Sequence, residues 1–151
     1  MVTKPIEEDQ IVQEIFIEAS PEKIFSAITT PKDLVAWWGD ENTYHCDSWN
    51  VDLRVGGRWR SEGKGTGGND FVVEGTYLEV DPPKVLVYTW EPSWHKIPPT
   101  TVRWELTSQG KGTLVRITHS GFAGNMEAKK DHEGGWPTVL TWLANYLTGR
   151  R

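Results

Sequence analysis

Apolar positions recur along this chain with two periods, and the change from one to the other divides it. From Asp131 to Leu147 the spacing is helical: Trp136, Val139, Leu140, Leu143 and Leu147 fall three and four residues apart, with Ala144 beside them. What precedes is mostly short runs of alternating β-branched, aromatic and polar residues between Gly and Pro punctuation, the pattern of strands. A helix with one apolar stripe needs a partner, and a curved sheet closing round it supplies one.

Taken in order, Gln10 to Ala19 predicts a first strand with Ile11, Ile15 and Ile17 on one face and Val12 and Phe16 on the other, both faces meeting protein. Ser20-Pro21 is a helix start, with Ser20 as N-cap and Pro21 in the first turn, and Ile24, Phe25, Ala27 and Ile28 form the apolar face that follows. Thr30-Pro31 repeats the signal, with Asp33 placed to complete a box with Thr30, and this second short helix ends near Trp37-Trp38-Gly39. About six strands follow, joined mainly by hairpins. Between His45 and Leu53 the odd positions include Trp49, Val51 and Leu53, which predicts that His45 and Asp47 also point inward. Val102, Trp104 and Leu106 share one face of the cleanest strand, and Val115, Ile117 and His119 share one face of the next, so Trp104 and His119 should both face the core.

The last helix starts near Met126 with Asn125 as its cap, and it contains Gly134-Gly135 and then Pro137. Proline inside a helix crowds the carbonyl four residues back, here Glu133, so a kink is expected near the glycines. The glycines serve either close packing on the sheet or the gating of a cavity. The fold class is therefore α+β, one domain over residues 1–151 with its core at about 10–148.

Composition narrows the function. A net charge of −5 without a basic block gives no surface for a phosphate backbone, so no nucleic-acid partner is expected. The lone Cys46 excludes an internal disulfide, MVTKPIEEDQ has no apolar signal core, and no apolar run approaches the roughly 20 residues of a membrane span. A cytoplasmic protein is the expectation. The nine tryptophans either fill an aromatic core or line a cavity.

Motifs that would carry catalysis or a cofactor fail. Gly63, Gly65 and Gly68 spell GxGxxG, but a strand follows where the phosphate-binding fingerprint needs a helix. His132-Glu133 opens like a zinc-protease motif, yet Trp136 stands where the second histidine must be. His45 and Cys46, adjacent on a strand, point to opposite faces and cannot share a metal, and no nucleophile, base and acid stand at triad spacing. Neither metal nor cofactor is expected.

The order of elements, with the segments SPEKIFSAITTPKDLVAWW, VDLRVGGRWR, GTYLEVDPPKVLVYTW, GTLVRITHSGF and HEGGWPTVLTWLANYL, resembles the C-terminal domain of the activator of heat-shock protein 90 ATPase, in the START-like, birch-allergen-like superfamily, over about Gln10 to Thr148. The resemblance implies a helix-grip fold, in which a seven-stranded antiparallel sheet wraps the C-terminal helix and leaves a cavity between them. Superfamily relatives include sterol, lipid and polyketide binders and a few aromatases and cyclases, none with a catalytic motif that maps here. The eukaryotic co-chaperones add an N-terminal domain that engages the chaperone, for which this chain has no room, so a chaperone partner is not expected to carry over.

Three functions follow. The first is binding of a small, largely apolar molecule, with Trp49, Trp59, Tyr77, Tyr88, Trp90, Trp104, Trp136 and Leu140 as lining and His45, Asp47 or His119 orienting it. Trp104 would border the cavity opposite the helix. The second is a lyase or cyclase acting on a hydrophobic substrate, with His119, His45 or Asp47 as acid or base. The third is a stress-linked interaction domain using exposed Trp37, Trp38 and Trp94, although Trp37 or Trp38 could instead close the cavity. A homodimer is compatible with all three.

Overall fold

The structure is a computed structural model and describes residues 9–65 and 67–149. Residues 1–8, which hold most of the stretch without an apolar signal core, lie outside them, as does Thr66 of the glycine-rich loop.

The elements are β1 (Gln10–Ile17), α1 (Pro21–Thr29), α2 (Pro31–Trp37), β2 (Tyr44–Val51), β3 (Arg58–Gly65), β4 (Asp70–Asp81), β5 (Val85–Pro92), β6 (Thr100–Gln109), β7 (Gly112–Ser120) and α3 (Met126–Thr148). The strands form one seven-stranded sheet in the order β1-β7-β6-β5-β4-β3-β2, antiparallel throughout. Consecutive strands from β2 to β7 are neighbours, while α1 and α2 carry the chain from one edge of the sheet to the other. α3 packs against β1, α1 and α2, and its Trp136 ring lies 6.0 Å from Trp104 of β6 and 5.8 Å from His119 of β7.

Only one face of the sheet is covered, and the alternation within strands follows from that. On β6, Thr100, Val102, Trp104 and Leu106 are buried, whereas Arg103 and Glu105 between them reach solvent. The outer face carries cross-strand ion pairs: Arg58 with Glu74 and Glu91, Arg103 with Glu79, and Arg116 with Glu14. Such exposed pairs contribute little to stability, about 0–1 kcal/mol each, but they keep that face wetted. The two-sided burial expected of β1 is corrected for the same reason: Ile11 and Ile17 are buried, but Val12 and Phe16 are 44% and 45% exposed on the uncovered face.

The helix signals hold in position more than in detail. The Ser20 hydroxyl accepts from Lys23 N at 3.2 Å, and Ile24, Phe25, Ala27 and Ile28 are buried as the pattern requires. Thr30 occupies the N-cap of α2 without a side-chain cap bond, and Asp33 instead accepts from the Tyr146 hydroxyl at 2.6 Å, tying α2 to α3. Asn125 likewise sits at the N-cap of α3 but turns its amide to Ala123 O at 3.4 Å. α3 runs unbroken through Pro137 and ends at Gly149, whose φ of 74° suits glycine.

An aromatic pocket under the first half of α3

The chain leaves α2 through Trp38 and turns at Gly39, whose φ is 117° and where a Cβ would run into the Tyr44 carbonyl. That turn folds Trp38 back over β2, so its indole Nε1 donates to the Tyr44 hydroxyl at 3.0 Å. Asp40 closes the turn by accepting from Asn42 N, Thr43 N and Thr43 Oγ1, and its second oxygen accepts from Trp142 Nε1 of α3. These bonds, led by the Thr43 hydroxyl, hold the Asp40 carboxyl below the usual range. Neither Trp37 nor Trp38 is exposed, contrary to the interaction-surface expectation: they are 0% and 4% accessible, and Trp37 Nε1 donates to Ala27 O. Trp94, at 47%, is the exposed one of the three.

On β2 a bulge decides what faces inward. Cys46 pairs with Gly63 and Ser48 with Glu62, leaving Asp47 without an opposite residue. The extra residue resets the alternation, so Cys46 and Trp49 are both buried while His45 and Asp47 point outward, 51% and 54% exposed and bonded to each other at 2.8 Å. The inward orientation expected of His45 and Asp47 is thereby corrected; strict parity fails where the strand carries an unpaired residue. Leu53, also expected inward, lies beyond the end of β2 and is 40% exposed.

Two buried histidines lock the indoles on the other side. An indole N–H can only donate, so the nitrogen facing it must be bare. Trp90 Nε1 donates to His132 Nε2 at 2.9 Å, and His132 Nδ1 therefore carries the proton it gives to Ala128 O. Trp136 Nε1 donates to His119 Nδ1 at 3.0 Å, so His119 Nε2–H donates to Thr100 Oγ1 at 2.7 Å, and that hydroxyl passes its own proton to Trp90 O. Burial drives the pKa of His119 well below the ordinary histidine value, with His132 nearby adding to the effect, and burial also lowers His132. Both rings are neutral hydrogen-bond relays.

Between these groups lies a pocket of about 560 Å³, walled by the β2–β5 half of the sheet, the end of α2 and the first half of α3. Trp38, Trp49, Trp90, Trp136, Tyr44, Phe71, Val73 and Val139 form its apolar wall, with Trp94, Asp70 and Asp131 also lining it. Ring centroids of Trp38 lie 5.3, 6.1 and 6.1 Å from those of Trp49, Trp90 and Trp136, so the indoles touch and make a continuous surface. Gly135 lines the pocket, and a Cβ built on Gly134 or Gly135 would meet nothing within 4 Å. Close packing of the glycines on the sheet is thus not their role.

Of the residues proposed as lining, Trp49, Trp90 and Trp136 reach this pocket. Trp59, Tyr77, Tyr88, Trp104, His119 and Leu140 are buried outside it. Trp104, expected at the cavity, is 0% accessible and donates from Nε1 to the Tyr88 hydroxyl at 2.9 Å, while Trp59 is wedged between Trp49 and Tyr88 at 5.8 and 5.2 Å. Tyr44, Phe71, Val73, Trp94, Asp131 and His132 were not foreseen as lining, whereas Gly135 was named for a role at a cavity. Phe71 and Val73 share the odd-numbered positions of β4 with Tyr77, and that parity was there to be used.

A three-residue set, His95, Asp131 and His132, brings its donor atoms within 4.8 Å of one another at the pocket rim. It does not fit a metal as arranged, since the bare nitrogen of His132 is taken by Trp90 and its other nitrogen holds a proton.

The family described as activator of Hsp90 ATPase homolog 1-like protein matches residues 18–148. The chain belongs to that family. Among solved structures, CV1439 from Chromobacterium violaceum superposes with a TM-score of 0.81 at 24% identity, covering 93% of this chain and 97% of that one. The activator-of-Hsp90-ATPase-like protein from Aeromonas hydrophila gives 0.78 at 24% identity, covering 93% and 92%. DynU16, from the dynemicin biosynthetic locus, gives 0.76 at 19% identity, with 93% of this chain spanning 47% of that one. These likenesses establish the helix-grip fold expected of the family. No curated protein sequence matches the chain.

Proposed function

We propose that the protein binds a small, largely apolar molecule in the pocket beneath α3. The observation that carries this is an aromatic wall held in place by the protein's own bonds. Trp38, Trp90 and Trp136 each donate to a fixed acceptor, Tyr44, His132 and His119 respectively, so the rings that line the space are already oriented. A site organised before binding loses little conformational entropy when it is filled. The volume of about 560 Å³ falls within the range of about 300–1,000 Å³ usual for small-molecule sites.

Acid–base catalysis through the three residues first considered has less support. His119 is sealed with both nitrogens bonded, and His45 and Asp47 pair on the outer surface. Binding without turnover is therefore the function proposed. Native mass spectrometry of protein isolated from its own host tests it: a small molecule retained in stoichiometric amount, and lost on unfolding, is the expected result. Protein that carries nothing, and whose tryptophan emission stays unchanged through a titration with the uncharged probe N-phenyl-1-naphthylamine, would refute it.

A further inference from the structure

The pocket's charges have one sign. The formally charged residues lining it are Asp70 and Asp131, with no lysine or arginine among them. Lys64 sits 2.9 Å from Asp70 and offsets it, whereas the partner of Asp131 is the imidazole of His95 at 3.0 Å. Asp131 stands on α3 directly before His132, with its carboxylate 57% exposed at the pocket rim. Burial raises the Tyr44 hydroxyl above its ordinary range, the hydrogen bond from Trp38 opposes it, and Asp40 and Asp131 are among the smaller contributors that raise it.

We infer that the pocket takes an aromatic or polycyclic amine or quaternary ammonium, with its cationic group against Asp131 and its apolar body against Trp38, Trp90 and Trp136. This rests on the small-molecule function proposed above and adds the ligand's charge to it. A carboxylate on the same body would meet Asp131 with no cation available to pair with it. An ammonium meets both a carboxylate and the electron-rich rings of an aromatic surface, and such contacts strengthen as water is excluded.

Calorimetric titration with three probes sharing a naphthalene body tests the inference at pH 8 and low salt. They are (1-naphthylmethyl)trimethylammonium, its uncharged isostere 1-neopentylnaphthalene, and 1-naphthylacetate. The expected order is cation, neutral, anion, with the cation at least fivefold tighter than its isostere. Asp131→Asn, a change at an exposed helix position, should reduce that advantage to twofold or less. Binding of the neutral probe with no preference for the cation would overturn the charge assignment while sparing the pocket as a small-molecule site. A cation advantage that survives in Asp131→Asn would equally overturn it. If none of the three probes binds, both the inference and the function beneath it fall.

Discussion

The two ends of the sheet use the same residue types to opposite effect. On β5–β7, Trp104, Tyr88, His119 and Thr100 pack solidly under Trp136, and the indole and imidazole nitrogens all find partners. Towards β2, Trp49 and Trp90, the latter near the end of β5, are indoles of similar burial that stand beside open volume. The two buried indole N–H groups with no partner among the described residues, those of Trp49 and Trp59, both belong to that end. The difference lies in what the helix offers. Against β6 and β7 it sets the Trp136 ring, whereas at the pocket it presents Gly135, which leaves the space beside it unfilled. A pocket here is a packed core with side chains withheld at one helix position and the surrounding rings held by bonds of their own.

The strongest test of the contrast is Trp104→Ala. It opens a hole in the sealed end and should lower unfolding free energy by about 3–5 kcal/mol in a denaturant titration. Apolar-probe affinity, measured where the variant is still folded, should match the parent's, because Trp104 does not line the pocket. A parallel loss of binding would show that the two ends are one cavity.

His119→Leu comes next. It keeps the volume roughly constant but strands the Trp136 N–H and takes away the donor to the Thr100 hydroxyl, which still donates to Trp90 O, at about 1–3 kcal/mol for the unsatisfied buried N–H. The same residue gives a pH signature. The pKa values of His119 and His132 are lowered in the folded state, so below the unfolded value of about 6.5 the unfolded chain binds more protons than the native one. Stability is thus fully present above about pH 6.5 and is lost as pH falls towards the folded values. Thermal melts should show Tm dropping between about pH 7 and pH 5 in the parent, and a flatter profile in His119→Leu. Identical slopes in the two proteins would argue that His119 is not held neutral by burial.

Much of this was legible in advance, and the misses at His45, Asp47 and Trp104 each turn on what another element places opposite the strand. Element order, the Ser20 cap and the inward-facing Trp104 and His119 all follow from local pattern, and on β6 and β7 the hairpin register runs without a shift, which keeps alternation intact. His45 and Asp47 were misplaced because a bulge is a property of the pairing, and a single strand's sequence does not reveal its partner's register. The rings of Trp104 and Trp90 face the same side of the sheet, yet one is sealed and the other lines the pocket. Strand parity tells inside from outside but not packed from open; that depends on which helix residue lies opposite. Gly134-Gly135 was the available clue, since glycines within a helix otherwise only weaken it.

A smaller effect separates those two glycines. Gly134 does not line the pocket and has open space beside it, so Gly134→Ala should raise stability by about 0.5–1 kcal/mol through helix propensity, with no change in probe binding. A destabilised Gly134→Ala would mean that the space beside this residue is not free.

Gly135→Leu tests the central claim most directly. The new side chain has no atom within 4 Å at its Cβ and would project into the pocket, not into packed structure. Titrated with N-phenyl-1-naphthylamine and followed by tryptophan emission, Gly135→Leu should bind at least tenfold more weakly than the parent while melting at the same temperature or higher. Undiminished binding in a stably folded Gly135→Leu would contradict the account, because the ligand site would then lie somewhere other than beneath α3.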